Sequence, residues 1–152
     1  MLMRMASVTM FVRMIVASLI AVLLTATVCF ADGDGLQKGN LFGVHVITVT
    51  LRPNVTIDEF KTFFISKVIP EYEKHWDGLK GYLVQSRRGE YKDRFAIVWL
   101  FTSEAARNRY FTRDDKPNAL EKAAYLAVGP IEEELKKYGT YTIAYHDDWI
   151  VQ

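Results

Sequence analysis

The pattern of hydrophobic and polar residues changes near residue 31. Residues 1–31 contain only two charges, Arg4 and Arg13, and the stretch from Met14 to Ala31 carries none. Beyond this point, apolar residues alternate with polar ones or recur every three to four positions, as in half-buried strands and amphipathic helices. The pattern therefore predicts a leader followed by one folded domain.

The leader has the parts of a secretory signal peptide. It has a basic start, an aliphatic middle and a small residue, Ala31, directly before an acidic, glycine-rich stretch. We therefore expect residues 1–31 to be removed and the protein to be exported to the periplasm or the extracellular space. Two alternatives remain open. The uncharged run is just long enough to serve as an uncleaved membrane anchor, and Cys29 is a weak match to a lipidation site.

The rest of the chain is predicted to alternate strands and helices in the order β-α-β-β-α-β. Residues 32–42 are rich in Gly and Asp and predict a flexible leader, so the folded domain is expected over residues 43–152. Runs of β-branched and aromatic residues predict four strands, at Val44–Leu51, Lys80–Arg88, Arg94–Phe101 and Thr140–Val151.

Two helical regions separate these strands. Thr56 and Glu59 form a capping box that predicts the start of the first helix, whose apolar stripe runs to Trp76. Pro70 is expected to kink or loosen this helix. The second region is expected in three pieces, since Gly129-Pro130 should end one helix and start the next: Ser103–Phe111, Ala119–Val128 and a helix from Pro130.

The third predicted strand is apolar on both faces, which places it in the middle of a sheet that is covered on both sides. The element order fits an α+β, ferredoxin-like fold, with a four-stranded antiparallel sheet and helices on one face. The chain offers no further element for the second face. Because a large exposed apolar patch is unusual on a soluble monomer, we expect a homodimer that packs sheet against sheet.

Composition and charge exclude several classes of function for the mature chain. The only cysteine and all five methionines lie in the leader, so the mature chain has neither a disulfide nor a thiolate nucleophile. Loss of the leader changes the formal net charge from +1 to about −1. We therefore expect neither nucleic acid nor, after cleavage, a membrane as a partner. The sequence also contains no Gly-rich phosphate loop and no Gly-x-Ser-x-Gly nucleophile elbow.

Several features together resemble the dimeric α/β-barrel superfamily, which includes stress-responsive A/B-barrel and antibiotic-biosynthesis-monooxygenase-like proteins. These features are His45 near the start of the first strand, the capped helix from Thr56 to Gly78, the aromatic third strand, and the short helix from Ser103 to Phe111. The resemblance covers residues 43–151, and Gly129-Pro130 departs from its simplest members. It implies a ligand cleft between sheet and helices. Known members are cofactor-independent oxygenases, haem-handling enzymes, isomerases and proteins without a known reaction.

His45 is the candidate catalytic residue. It shares a strand face with Ile47, Val49 and Leu51, so it is either a half-buried structural histidine or a pocket group that acts as a general base. His146 is expected beside it, because the last strand should pair antiparallel with the first. Two histidines and a carboxylate are possible metal ligands, but no metal-binding motif is present, and we predict neither a metal nor a cofactor.

Aromatic and polar side chains on the strands and the short helix are the candidate ligand-binding residues. Aromatic stripes usually form core, but they also line pockets for flat apolar ligands, where a few polar groups fix orientation. The predicted ligand-binding residues are Trp99, Tyr110, Gln85, Arg109, Tyr82 and His146.

These features predict an exported protein that binds a small apolar or aromatic molecule in a cleft between sheet and helices. One hypothesis is a cofactor-independent oxygenase or isomerase with His45 as its base. The alternatives are a non-catalytic stress-response or ligand-binding module, and a haem-binding protein with His45 or His146 as the axial ligand.

Overall fold

Strand pairing defines the fold. The computed structural model describes residues 35–152, without the side chain of Tyr145, and the predicted signal peptide lies outside the described residues. One antiparallel sheet has the strand order β2-β3-β1-β4. Its strands are β1 (Leu41–Leu51), β2 (Leu79–Gln85), β3 (Phe95–Phe101) and β4 (Gly139–Ile150). The first and third strands are central, so the predicted α+β, ferredoxin-like fold is confirmed.

The first helical region is one run with a change of pitch. It consists of α1 (Ile57–Phe63), a π-helical segment (Phe64–Val68) and α2 (Ile69–His75). The predicted capping box is present, since Glu59 N–H donates to Thr56 Oγ1 and Thr56 N–H donates to Glu59 Oε2. The π-helical segment lies directly before Pro70, whose nitrogen has no proton to donate. The predicted loosening therefore takes the form of a wider turn rather than a break.

The second helical region differs from the prediction. It contains the short α3 (Glu104–Arg107) and one long helix, α4 (Ala119–Leu135), which continues through Gly129 and Pro130. The predicted break there is wrong. A proline removes one hydrogen bond from a helix, and burial on the same helix outweighs this loss: Val128 is 0% exposed and Leu135 is 1% exposed.

The two faces of the sheet have different surroundings. The face with the odd-numbered residues of β1 and β3 packs on the helices, and its core contains Phe60, Phe64, Val68, Ile47, Ile97, Val128 and Leu135. The opposite face is also apolar. Val46, Ala96 and Leu100 are buried at its centre without belonging to the helix-side core, whereas Tyr82 and Trp149 are 41% and 52% exposed near its edges.

The strand ends lie within a few residues of their predicted positions. β1 begins at Leu41, inside the predicted flexible leader of residues 32–42. Two hydrogen bonds attach the preceding residue, Asn40, to the fold. The Asn40 side chain donates to the Thr102 carbonyl at 2.8 Å, and Val151 N–H donates to the Asn40 carbonyl at 2.9 Å. Among residues 35–152, no helix has both the length and the hydropathy needed to cross a bilayer.

Candidate functional site

Two histidines lie side by side on the helix-facing side of the sheet. His45 of β1 pairs with His146 of β4, as the antiparallel order of the two strands predicts. Their ring centroids are 5.8 Å apart and the rings meet edge to face at 67°. His45 is half-buried, whereas His146 is exposed at the edge strand.

The surroundings of His45 favour its neutral form. Burial lowers the pKa of His45 below its ordinary value of 6.5, and the adjacent His146 lowers it further. Asp148 acts in the opposite direction, but it is the weakest of the three influences. At neutral pH the ring is therefore uncharged and offers one nitrogen as a hydrogen-bond acceptor.

The side chains of His45 and Asp148 come together over Gly43. Gly43 pairs with Asp148 on β4 and is two residues from His45 on the same strand face. A Cβ atom at Gly43 would stand 2.7 Å from Asp148 Oδ1 and 3.2 Å from His45 Nε2. The carboxylate and the imidazole thus occupy the space that a side chain at Gly43 would need.

An open cleft of about 680 Å³ begins at Asp148, beside this pair. It lies where the start of β1 and the end of β4 meet α3 and the loop after it. Its apolar walls are Leu41 and Phe111, and Asp148 belongs both to the cleft and to the surroundings of His45. The remaining lining residues are Glu104, Arg107, Asn108, Thr112, Arg113 and Asp115.

Arg107 connects the walls of the cleft. Its Nη1 lies 2.6 Å from Asp115 Oδ1, and its Nη2 lies 3.5 Å from Asp148 Oδ2. The guanidinium also lies 4.2 Å from the ring centroid of Phe111. The Arg107 side chain is only 14% exposed, so this cation is held from three sides.

Local hydrogen bonds fix the segment that carries Arg107. Ser103 caps α3 by accepting a hydrogen bond from Ala106 N–H at 3.1 Å. The loop after α3 folds back on itself, since Thr112 N–H donates to the Lys116 carbonyl at 2.9 Å. Asn118 closes the loop by donating to the Arg109 carbonyl at 2.7 Å.

The space between helices and sheet, where the cleft was expected, contains a stack of aromatic rings. The Tyr72 ring stacks on Trp76, with the ring centroids 5.1 Å apart, and on Trp99, with the ring centroids 4.9 Å apart. The Tyr72 hydroxyl donates to Glu132 at 2.8 Å, and burial raises the pKa of Tyr72. Burial likewise raises the pKa of Tyr141. The described cleft therefore lies at the end of the sheet rather than beneath the helices.

The predicted ligand-binding residues do not converge on one place. Trp99 belongs to the aromatic stack, and Tyr110 is 4% exposed with its hydroxyl accepting from Asp77 N–H at 2.7 Å. Gln85 donates to the Asp93 carbonyl at 3.3 Å at the end of β2. Tyr82 lies on the opposite face of the sheet.

Arg109 pairs with Asp77 at 2.7 Å on the protein surface. Among the predicted site residues, only His146 lies beside His45, and none of them lines the described cleft. Their roles in ligand binding stay predictions.

Sequence reasoning missed Gly43, Arg107 and Asp148. Asp148 carried a usable signal, because it lies two residues after His146 and so shares its strand face. Arg107 carried none, since its contact with Asp148 depends on how the loop after α3 folds. Among the described residues, no group of His, Cys, Asp and Glu side chains is arranged to hold a metal ion.

Comparison with known proteins identifies structural neighbours only. No protein-family model and no curated protein matches the chain. SnoaB, a cofactor-independent oxygenase from Streptomyces nogalater, is 17% identical over 75% of this chain and 94% of that chain, with a TM-score of 0.43. A dimeric protein of unknown function with a ferredoxin-like fold, from Bacteroides fragilis, is 13% identical over 76% and 99%, with a TM-score of 0.34. Similarity at this level assigns no activity, and the fold assignment rests on the observed strand order.

Proposed function

We propose that the protein binds a small apolar or aromatic molecule in the cleft beside Gly43, with His45 next to the Asp148 wall as a neutral base. The observation that carries the proposal is the position of Asp148. Its Oδ1 atom and His45 Nε2 lie together over Gly43, within 2.7 Å and 3.2 Å of where a Cβ atom would stand, and Asp148 also lines the cleft. A ligand in the cleft that displaces the Asp148 side chain would place its reactive group against the imidazole.

The chemistry follows from the protonation state of His45. A neutral imidazole accepts a proton from a hydroxyl group or an activated C–H group of the ligand. The resulting imidazolium is then stabilised by the Asp148 carboxylate. The ligand anion either takes back a proton at another carbon, which is isomerisation, or gives electrons to dioxygen, which is cofactor-independent oxygenation. In the second case the ligand itself is the reductant.

The cleft suits a ligand of modest size. Its volume of about 680 Å³ lies within the range of roughly 300–1,000 Å³ of small-molecule sites. Leu41 and Phe111 supply apolar contact, and Asn108 and Thr112 supply hydrogen bonds. Five of the nine lining residues are charged, so an aromatic ligand that also carries polar substituents matches this lining.

Aromatic hydroxyl compounds test the role of His45. We would titrate the protein with 1-naphthol and with naphthalene and follow the backbone amides by ¹⁵N–¹H correlation spectra. Because the neutral imidazole accepts a hydrogen bond, 1-naphthol should bind more tightly than naphthalene, and both should shift the amides of Gly43 and Asp148. His45→Phe, which has no hydrogen-bond acceptor, should remove the difference between the two compounds. His75→Phe is the matched control, since His75 pairs with Glu71 on α2, away from the cleft.

Either of two results would reject the proposal. In the first, neither compound shifts the amides of Gly43 and Asp148. In the second, the preference for 1-naphthol survives unchanged in His45→Phe, which would leave His45 a structural role only.

The apolar face of the sheet supports a homodimer. Val44, Val98 and Tyr82 lie opposite one another across three strands on the face without helices. We propose that a second copy covers this face, because Tyr82 and Trp149 are otherwise exposed beside an apolar centre. Sedimentation velocity should show a dimer at micromolar concentration, and Val98→Asp should be monomeric. A monomeric wild-type protein would contradict the proposal.

Export is the remaining part of the proposed function. The basic, apolar and small-residue regions of residues 1–31 support cleavage after Ala31. Intact-mass analysis of protein from the periplasm or the culture medium should find a chain that starts at Asp32. A membrane-bound chain that retains residues 1–31 would support an anchor instead.

A further inference from the structure

We propose that Arg107 is a positioning residue that holds the Asp148 carboxylate in the cleft and thereby controls how far it acts on His45. This inference rests on the proposed function in one respect only, the role of His45 as a base. It concerns a residue that does not touch the imidazole and acts through Asp148.

The contacts of Asp148 divide between its two oxygens. Oδ2 lies 3.5 Å from Arg107 Nη2, whereas Oδ1 lies over Gly43 on the same side as His45 Nε2. One carboxylate thus stands between a cation on α3 and a histidine on β1. A stronger hold by the cation draws the carboxylate away from the histidine, and a weaker hold releases it.

Exposure shows which member of the pair is fixed. The Arg107 side chain is 14% exposed, and it contacts Asp115 and the Phe111 ring. The side chains of Asp115 and Asp148 are 75% and 44% exposed. Arg107 is therefore the anchored group, and the Asp148 carboxylate is the group with freedom to turn. The distance of 3.5 Å between Arg107 Nη2 and Asp148 Oδ2 is long for an ion pair that also forms a hydrogen bond. The Asp148 carboxylate can therefore turn either towards Arg107 or towards His45.

The charged and titratable neighbours of His45 are few among the described residues. On β4 they are His146 and Asp148, both of which influence the pKa of His45. On β3 the residue opposite His45 is the apolar Ile97. Arg107 contacts Asp148, with Nη2 3.5 Å from Oδ2, and we expect its effect on His45 to pass through this carboxylate.

The experiment is a titration of the His45 imidazole by NMR, without any ligand, in the mature protein and four variants. Arg107→Gln should raise the titration midpoint of His45, because the released carboxylate favours the imidazolium. Asp148→Asn should lower the midpoint. In the double variant the His45 midpoint should equal that of Asp148→Asn alone, because Arg107 is expected to act on His45 through Asp148. Lys136→Gln removes an equal charge from a surface pair with Glu133, and it should change nothing.

The double variant separates this inference from a general charge effect. If Arg107→Gln raises the midpoint equally with Asp148 present and absent, Arg107 acts by charge at a distance and the inference is overturned. An unchanged midpoint in Arg107→Gln overturns it as well. A failure of ligand binding would leave this titration untouched, so the two proposals fail separately.

A second variant covers the case in which Arg107→Gln does not fold. Asp115 is largely exposed, so Asp115→Asn should keep the fold while, among the described residues, it leaves Asp148 as the carboxylate paired with Arg107. The tighter hold on Asp148 should then lower the His45 midpoint, which is the opposite sign to Arg107→Gln. A midpoint that stays at its wild-type value in Asp115→Asn would overturn the inference.

Discussion

Replacing Gly81 with alanine tests how the aromatic stack is held between sheet and helices. Gly81 on β2 lies opposite Trp99 on β3. An added Cβ would stand 2.6 Å from Trp99 Cζ3 and 2.9 Å from Ile69 Cγ2. Both distances are shorter than side-chain carbons tolerate, so one of these two groups must move. Ile69 is 5% exposed within the core, whereas Trp99 is partly exposed and is the group that can yield.

The expected loss of stability combines three contributions. Overpacking a filled core costs about 1–3 kcal/mol. Displacing Trp99 from its stack on Tyr72 removes a further ~0.5–1.5 kcal/mol, and the stiffer alanine backbone returns roughly 0.5–1 kcal/mol. The net destabilisation is about 0.5–4 kcal/mol. For a domain of this size it corresponds to a fall in melting temperature of roughly 2–16 °C.

Thermal unfolding and near-UV circular dichroism measure the two parts of this effect. We expect Gly81→Ala to lower the melting temperature and to weaken the near-UV bands of the stacked tryptophans. Gly129→Ala is the control, because outside its chain neighbours and its own helix backbone nothing lies within 4 Å of the added Cβ. The gain in helix propensity is opposed by contact between the new Cβ and the following Pro130, so stability should change by less than about 1 kcal/mol. A Gly81→Ala protein with unchanged bands and an unchanged melting temperature would refute the packing described for Trp99.

Three further predictions concern the first helix, the buried tyrosine and the histidine. Thr56→Ala removes the capping box and should cost about 1 kcal/mol in urea unfolding; no measurable loss would contradict the cap. Tyr72→Phe leaves Glu132 without its 2.8 Å hydrogen bond and should cost about 1–3 kcal/mol; a more stable variant would contradict that contact. The folded pKa of His45 is lowered from 6.5, so the unfolded chain binds the proton first and stability should fall as the pH drops below about 6.5. His45→Gln should reduce this dependence of the melting temperature on pH, and an identical dependence in both proteins would count against the buried, neutral imidazole.

Local patterns in the sequence were sufficient to predict the fold. The doubly apolar β3 indicated a central strand because both of its faces must be covered, and the capping box at Thr56 marked where α1 begins. The break at Gly129-Pro130 was predicted wrongly. Helix-breaking residues have local effects, whereas the burial of Val128 and Leu135 that maintains α4 is a tertiary effect.

The candidate site was only partly predictable. Antiparallel pairing of the first and last strands placed His45 beside His146 correctly. The link from Arg107 to Asp148 depends on a loop that returns to the sheet edge, and no periodic pattern describes such a loop. Trp99 was assigned to a ligand pocket because an aromatic residue on a strand gives the same sequence pattern whether its ring packs against a ligand or against another side chain. In the structure its partner is Tyr72.

Gly43→Ala provides the most direct test of a ligand site beside Gly43. The nearest atoms to the added methyl group would be Asp148 Oδ1 at 2.7 Å and His45 Nε2 at 3.2 Å, both of which belong to side chains that can turn. The fold should therefore stay intact while the carboxylate and the imidazole are displaced. We expect 1-naphthol to shift the amides of Leu41, Gly43 and Asp148 in the wild-type protein, and to bind Gly43→Ala at least tenfold more weakly at an unchanged melting temperature. Equal affinity of the two proteins for 1-naphthol would contradict the account.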